Sequence, residues 1–129
     1  MQRFSDKVNL HSQIISEIKS GKKRTHWMWF AFPQIRGLGR SEIAQFYAIK
    51  NKEQAIEFAN HDILGCNLRE LCRELLNLET NSAKEIFGEI DALKLKSSMT
   101  LFYTATHDKI FKMVLDKFYT GELCDKSIV

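Results

Sequence analysis

Apolar side chains recur at three- and four-residue steps along almost the whole chain, and that period restricts the fold more than any other feature. After Asp62, the residues Leu64, Leu68, Leu71, Cys72, Leu75 and Leu76 fall on one face of a helix. Leu95, Met99, Phe102 and Tyr103 mark another helix, and Ile110, Phe111, Val114, Leu115 and Phe118 mark one that Gly121 stops. Near the start, Val8, Ile14, Ile15 and Ile18 begin a helix that ends at Gly21, with Lys19, Lys22 and Lys23 around its negative end. Residues 52–60 read as a helix with Ala55, Ile56 and Ala59 on one face. Thr25 is placed to cap a short helix that Pro33 must end, because proline disfavours helical geometry in the residue before it. Ser41 follows a Gly-x-Gly turn and is placed to cap a helix reaching Tyr47. Ser82 and Glu85 have the spacing of a capping box, with Gly88 as the stop. No segment sustains two-residue alternation between hairpin turns, which argues against a β domain. The expectation is an all-α fold of seven to eight helices, in a single compact domain over residues 1–129.

A chain of 129 residues can bury one ordinary core without disulfide or metal staples. The longest strongly apolar run, Trp27 to Phe32, is far short of the ~20 residues a membrane helix needs, so no membrane partner is expected. The N-terminal residues lack the apolar stretch of a secretory signal. Cys66, Cys72 and Cys124 show no Cys-x-x-Cys spacing and read as the reduced thiols of a cytoplasmic protein. His11, His26, His61 and His107 are too scattered for a zinc signature, so neither a metal nor a cofactor is expected.

Charge is distributed unevenly. Between Lys19 and Arg40 lie six basic residues and no carboxylate, so a net charge of +3 is a +6 island on a mildly acidic body. The island holds the only proline, Pro33, and both tryptophans, Trp27 and Trp29. Its stretch from Thr25 to Gln34 is apolar on every side of a helix, and such a helix is normally buried. Most of Trp27, Trp29, Phe30 and Phe32 are therefore expected in the core. His26 and Gln34 flank that block and need hydrogen-bond partners wherever they are buried.

The run Arg36-Gly37-Leu38-Gly39-Arg40-Ser41 is a candidate anion site. Glycines allow close backbone approach, the next helix aims free amides at that point, and two guanidiniums stand beside it. It matches neither a P-loop nor a dinucleotide fingerprint, and a plain glycine turn with solvated arginines accounts for it equally. Aromatics beside basic residues can stack on nucleobases, but a polymer calls for several exposed aromatics and a longer basic stripe, so nucleic acid is disfavoured. Farther on, Ser97, Ser98 and Thr100 are poor helix formers placed mid-helix, and Lys94 shares a face with Ser98. Hydroxyls bonded to the preceding turn are the simpler account of that run. No nucleophile-elbow or Ser-His-Asp order is present.

Several of these stretches resemble one bacterial family. The run from Gly21 to Phe30, with its His26-Trp27-Met28-Trp29-Phe30 block, is followed by Phe32-Pro33-Gln34 and Gly37-Leu38-Gly39-x-Ser41. Tyr47-Ala48-Ile49, Leu64-Gly65, the run from Lys94 to Phe102 and Asp116-Lys117-Phe118-Tyr119-x-Gly121 extend the match over nearly the whole chain. Together they resemble domain-of-unknown-function family eighteen-ten, whose members are often labelled calpastatin. That label does not fit, since calpastatins are long and disordered while this composition is globular. Two departures stand out: Asn67 replaces an arginine the family usually carries, and the chain ends soon after Asp125, trimming the last helix. The resemblance implies a compact all-helical cytoplasmic protein. Its layout is similar to that of NADAR-type proteins, which process ADP-ribose conjugates, an analogy of fold that assigns no chemistry by itself.

The functional expectation is a nucleotide-like or phosphorylated small molecule held between the aromatic helix and the Gly37–Ser41 turn. Arg36, Arg40 and Lys94 would neutralise phosphate, Trp27 or Trp29 would stack, and His26 and Gln34 would orient the ligand or act in catalysis. Gly37, Gly39, Ser41 and Ser98 complete the candidate binding set. Any reaction would be hydrolysis of an N-glycosidic bond of the ADP-ribose type. It needs a carboxylate that the island lacks, so Glu42, Asp62 or Asp91 would have to fold in. The alternative is a non-enzymatic interaction module that docks an acidic partner through the basic island.

Overall fold

The chain, described by a computed structural model over Met1–Val129, is built of helices alone. In order these are α1 (Gln2–Ser5), α2 (His11–Lys19), α3 (Met28–Ala31), α4 (Glu42–Tyr47), α5 (Lys52–Asn60), α6 (Leu64–Leu76), α7 (Ala83–Thr106) and α8 (Lys109–Tyr119). Single 3₁₀ turns cover Val8–Leu10 and Asp125–Ser127. No strand forms. The nearest approach to one is a parallel bridge between Ile35 and Ile49, in which the Ile49 amide donates to Gln34 O and the Arg36 amide to Ile49 O, both at 2.8 Å.

The two long apolar stripes set the packing. α7 lies against α5, α8 and the C-terminal 3₁₀ turn, and α6 lies against α2, α5 and α8. Leu95, Met99 and Phe102 of α7 are fully buried, as are Leu68, Leu71 and Leu75 of α6. A chain of aromatic rings crosses the middle: Phe4 to Phe58 at 5.0 Å, Phe58 to Phe102 at 5.4 Å and Phe102 to Phe111 at 5.6 Å between centroids. Edge-to-face and tilted contacts of this kind add to the area each ring buries. No helix is long and apolar enough to cross a membrane.

Helix ends follow local chemistry. Ser41 Oγ accepts from the Ala44 amide at 3.2 Å, Asn51 Oδ1 from Gln54 at 2.9 Å and Asp108 Oδ1 from Ile110 at 3.1 Å. Each satisfies an amide with no partner inside its own helix. Ser82 caps α7 through the Glu85 amide, but the expected box is only half closed: the Glu85 carboxylate takes the Thr80 hydroxyl instead of the Ser82 amide. Gly88, at φ +83°, breaks α7 where the sequence placed a stop. Thr25 departs from expectation. α3 begins only after Trp27 and has no side-chain cap, while the Thr25 hydroxyl donates to Glu17 at 2.6 Å and accepts from Gln13 at 2.9 Å.

The hydroxyls in the middle of α7 tie down the last residues of the chain. Thr100 Oγ1 donates to Lys96 O and accepts from the Cys124 amide at 3.0 Å. Thr104 Oγ1 accepts from the Val129 amide at 3.2 Å, and Ser97 Oγ lies 3.0 Å from Ser127 Oγ. Ser98 behaves differently, being 0% exposed with no hydrogen-bond partner for its Oγ.

α5 and α6 meet closely at Gly65, where a Cβ would stand 2.1 Å from Ala59 O. The Arg69 guanidinium donates to that same carbonyl at 2.7 Å and to Asp108 Oδ2 at 2.8 Å, joining α5, α6 and the start of α8. Gly65→Ala is expected to lower stability by about 2 kcal/mol, since backbone rather than a flexible side chain must move. Urea unfolding of the two proteins checks it, and an unchanged midpoint would show that the two helices can separate freely.

Candidate functional site

The island loop is organised by Glu17, a residue just outside the island as charge alone delimits it. Glu17 lies in helical phase with Ile14 and Ile18 and is only 7% exposed. Its Oε1 accepts from the amides of Arg24 at 2.5 Å and Thr25 at 3.0 Å, and from the Trp27 indole at 3.0 Å. Its Oε2 accepts from the Thr25 hydroxyl at 2.6 Å and from Gln13 at 3.2 Å. Burial pushes the Glu17 carboxyl up, but the hydrogen bonds from Thr25, Arg24 and Trp27 together outweigh it and hold the pKa at about 2.

A second carboxylate closes the loop against α7. Asp91 Oδ2 pairs with Lys23 at 3.0 Å and Asp91 Oδ1 with Lys94 at 3.3 Å. Each lysine also lies over an indole: Lys23 over Trp27 at 5.1 Å and Lys94 over Trp29 at 5.0 Å from nitrogen to ring centroid. The Lys23 amide donates to Ile86 O at 2.8 Å. Two cations, two indoles and one acid thus form a single polar cluster, each ammonium drawn to a ring face as well as to the carboxylate. Of the three carboxylates considered from sequence, Asp91 is the one this cluster contains.

Two clefts flank the cluster and adjoin at Ile90, which lines both. The larger, about 570 Å³, is walled by Gln34, Gly39, Lys94, Lys96, Cys124 and Lys126, with Glu122 and Asp125 among the lysines and Leu38, Ile90, Leu93 and Leu123 as its apolar part. The smaller, about 520 Å³, carries Lys23, His26, Trp29 and Asp91. Volumes of this size match small-molecule sites. His26, Trp29, Gln34, Gly39 and Lys94 of the expected set therefore come to one region of the surface.

The other candidates lie elsewhere. Trp27 offers no stacking face, being 2% exposed with its indole N–H committed to Glu17. Ser98 is enclosed in the core, Ser41 is occupied as the cap of α4, and Arg36, Gly37 and Arg40 face solvent or line neither cleft. Gly37 has φ +97°, so its role is conformational. Gly39 packs against Ala44, where an added Cβ would stand 2.4 Å from the Ala44 Cβ. That close contact explains the Gly-x-Gly spacing without a ligand.

Three cleft residues had no sequence signal strong enough to single them out: Lys96, Cys124 and Lys126. Lys96 pairs with Glu122, which lines the same cleft. Burial raises the Cys124 thiol pKa, but hydrogen bonds from Ser127 and Ser97, with the Lys96 charge nearby, bring it below its ordinary value. No three His, Cys, Asp or Glu side chains gather as a metal site would need. Asn67 lines a separate cavity of about 40 Å³ beside Lys7, His11 and Phe30, room for little more than a water.

Comparisons with known proteins bear on the whole chain. A family model described as "Protein of unknown function (DUF1810)" matches residues 1–128. The crystal structure of the conserved hypothetical protein Rv1873 from Mycobacterium tuberculosis is 40% identical in sequence and superimposes with a TM-score of 0.95, over 98% of this chain and 92% of that one. No match is found among curated proteins.

Glu17→Gln is expected to cost about 2 kcal/mol near neutral pH, because the amide offers donors where only acceptors serve. The folded carboxyl is held below its unfolded value of 4.5, so its contribution is present above that pH and fades as the pH falls toward about 2. Wild type and variant should thus converge in denaturant midpoint under acid, and a constant gap down to that pH would contradict this account. His26 is exposed, and His26→Ala should shift unfolding by no more than about 0.5 kcal/mol. A loss of several kcal/mol in thermal unfolding would identify His26 as structural instead.

Proposed function

The chain belongs to the family of proteins of unknown function whose model spans it, and on that premise we propose that it binds a phosphorylated, nucleotide-sized small molecule across the two clefts. The observation that carries this reading is the Lys23–Asp91–Lys94 cluster, which sets two cations and a carboxylate at the border of the clefts. Lys94 keeps its expected part in neutralising phosphate, with Lys96 and Lys126 in place of the solvent-facing Arg36 and Arg40. Trp29 gives an aromatic surface, and Gln34 and His26 give orienting hydrogen bonds from opposite sides.

Asp91 also suggests a reaction class. Cleavage of an N-glycosidic bond, as in an ADP-ribose conjugate, passes through a cation-like anomeric carbon that a nearby carboxylate stabilises. Water adds to that carbon, the electron pair of the breaking bond leaves with the nitrogen, and His26 serves as its proton donor. The proton released by the water passes to Asp91. The free thiols Cys66, Cys72 and Cys124 suit a reducing, cytoplasmic setting.

A thermal-shift and native mass-spectrometry panel of ADP-ribose, NAD and mononucleotides tests the binding. A ligand at a hundred times its dissociation constant should add ~2.7 kcal/mol of stability. Lys94→Met should weaken it by at least about tenfold, while Asp91→Asn should keep binding and slow hydrolysis by about a hundredfold or more. Silence across the panel would overturn the ligand, and unchanged turnover in Asp91→Asn would overturn the reaction.

A further inference from the structure

The two arginines that sequence analysis grouped with the cleft lie on another surface. Arg36 and Arg40 are exposed, and neither guanidinium takes part in any of the chain's ion pairs. Their backbones stand at the two ends of α4: the Arg36 amide is bonded to Ile49 O beyond its last turn, and Arg40 O, just before its first, accepts from the Gln45 side chain. α4 itself exposes Ile43 to 41% and Phe46 to 59%, one helical turn apart. The Phe46 ring stands edge-on to Tyr47 at 4.9 Å between centroids. Around this apolar pair, residues 34–52 carry Arg36, Arg40, Lys50 and Lys52 against the single carboxylate Glu42.

We infer that the α4 surface docks an acidic segment of a partner protein that bears a bulky apolar side chain. Arginines without an ion-pair partner and an exposed aromatic ring are residue types that dominate binding energy at protein interfaces. Carboxylates in the partner would meet Arg36 and Arg40 through charge-assisted, bidentate hydrogen bonds. Its apolar side chain would cover Ile43 and Phe46. A nucleic acid fits less well, because Phe46 is the sole strongly exposed Phe, Tyr or Trp on the molecule and a stacked strand needs several. This docking is independent of the cleft ligand, and the two use different residues.

The experiment is selection from a displayed library of random peptides on the full chain, with counter-selection on the doubly charge-reversed Arg36→Glu, Arg40→Glu protein. Selected peptides should share Asp or Glu beside Leu, Phe or Trp. Their affinity, read by fluorescence polarisation, should fall at least about tenfold in the charge-reversed protein and separately in Phe46→Ser. All three substitutions are at exposed positions, and circular dichroism confirms folding before binding is read. No enrichment, a neutral or basic consensus, or equal binding to the variants would overturn the inference. Two further results would do the same by giving the surface another occupant. One is tighter binding of a fluorescent single-stranded oligonucleotide that the same variants abolish; the other is self-association by light scattering that they abolish. Nucleotide binding in the cleft should be unaffected by all three substitutions, which keeps this result separate from the fate of the cleft reading.

Discussion

One carboxylate decides how the most unusual part of this chain is arranged. Glu17 accepts two backbone amides, a hydroxyl, an indole and a carboxamide, so it fixes the turn from Ser20 to Trp27 as firmly as a length of helix would. An ionised group out of contact with bulk water is tolerable only when its lone pairs are filled. The residues just after α2 are therefore not free to choose another path. Trp27 is drawn inward by its N–H, and Lys23 is delivered to α7, where Asp91 receives it. The side of the smaller cleft that carries Lys23 and His26 follows from that one side chain.

The cluster at Asp91 shows why positive charge gathered in the sequence need not be a positive surface. Of the island's cations, Lys23 is largely enclosed and already paired, while Arg36 and Arg40 are free but far along the loop. Lys94 comes from outside the island and lines the larger cleft, which neither arginine does. Charge counting locates a region. Packing then decides which of its members line a cleft.

The helices were largely legible because their determinants are local. The stripes at Leu64–Leu76 and Ile110–Phe118, the Ser41 and Ser82 caps and the break at Gly88 all lie where periodicity and capping chemistry put them. Thr25 is not a cap because α3 starts only at Met28, and its hydroxyl partners, Glu17 and Gln13, lie eight and twelve residues back on another helix. The candidate site was legible only in part for the same reason. His26, Trp29 and Gln34 announce themselves by composition, whereas Lys96, Cys124 and Lys126 reach the cleft only once α7 and the end of the chain pack together. Glu17 had a readable signal in its phase with Ile14 and Ile18, but a count limited to the basic run passed over it.

The hydroxyls of α7 give one wall of the larger cleft an origin unlike the rest. Glu122 through Lys126 are held to the helix by Thr100, Ser97 and the Lys96–Glu122 pair, with little apolar burial beyond Leu123. Segments tethered by a few polar contacts open at far lower free energy than a packed core. Leu95, Met99 and Phe102 hold the other side of the same helix by packing alone. One helix therefore presents a face fixed by apolar burial and a face fixed by hydroxyls, and the two answer to different substitutions.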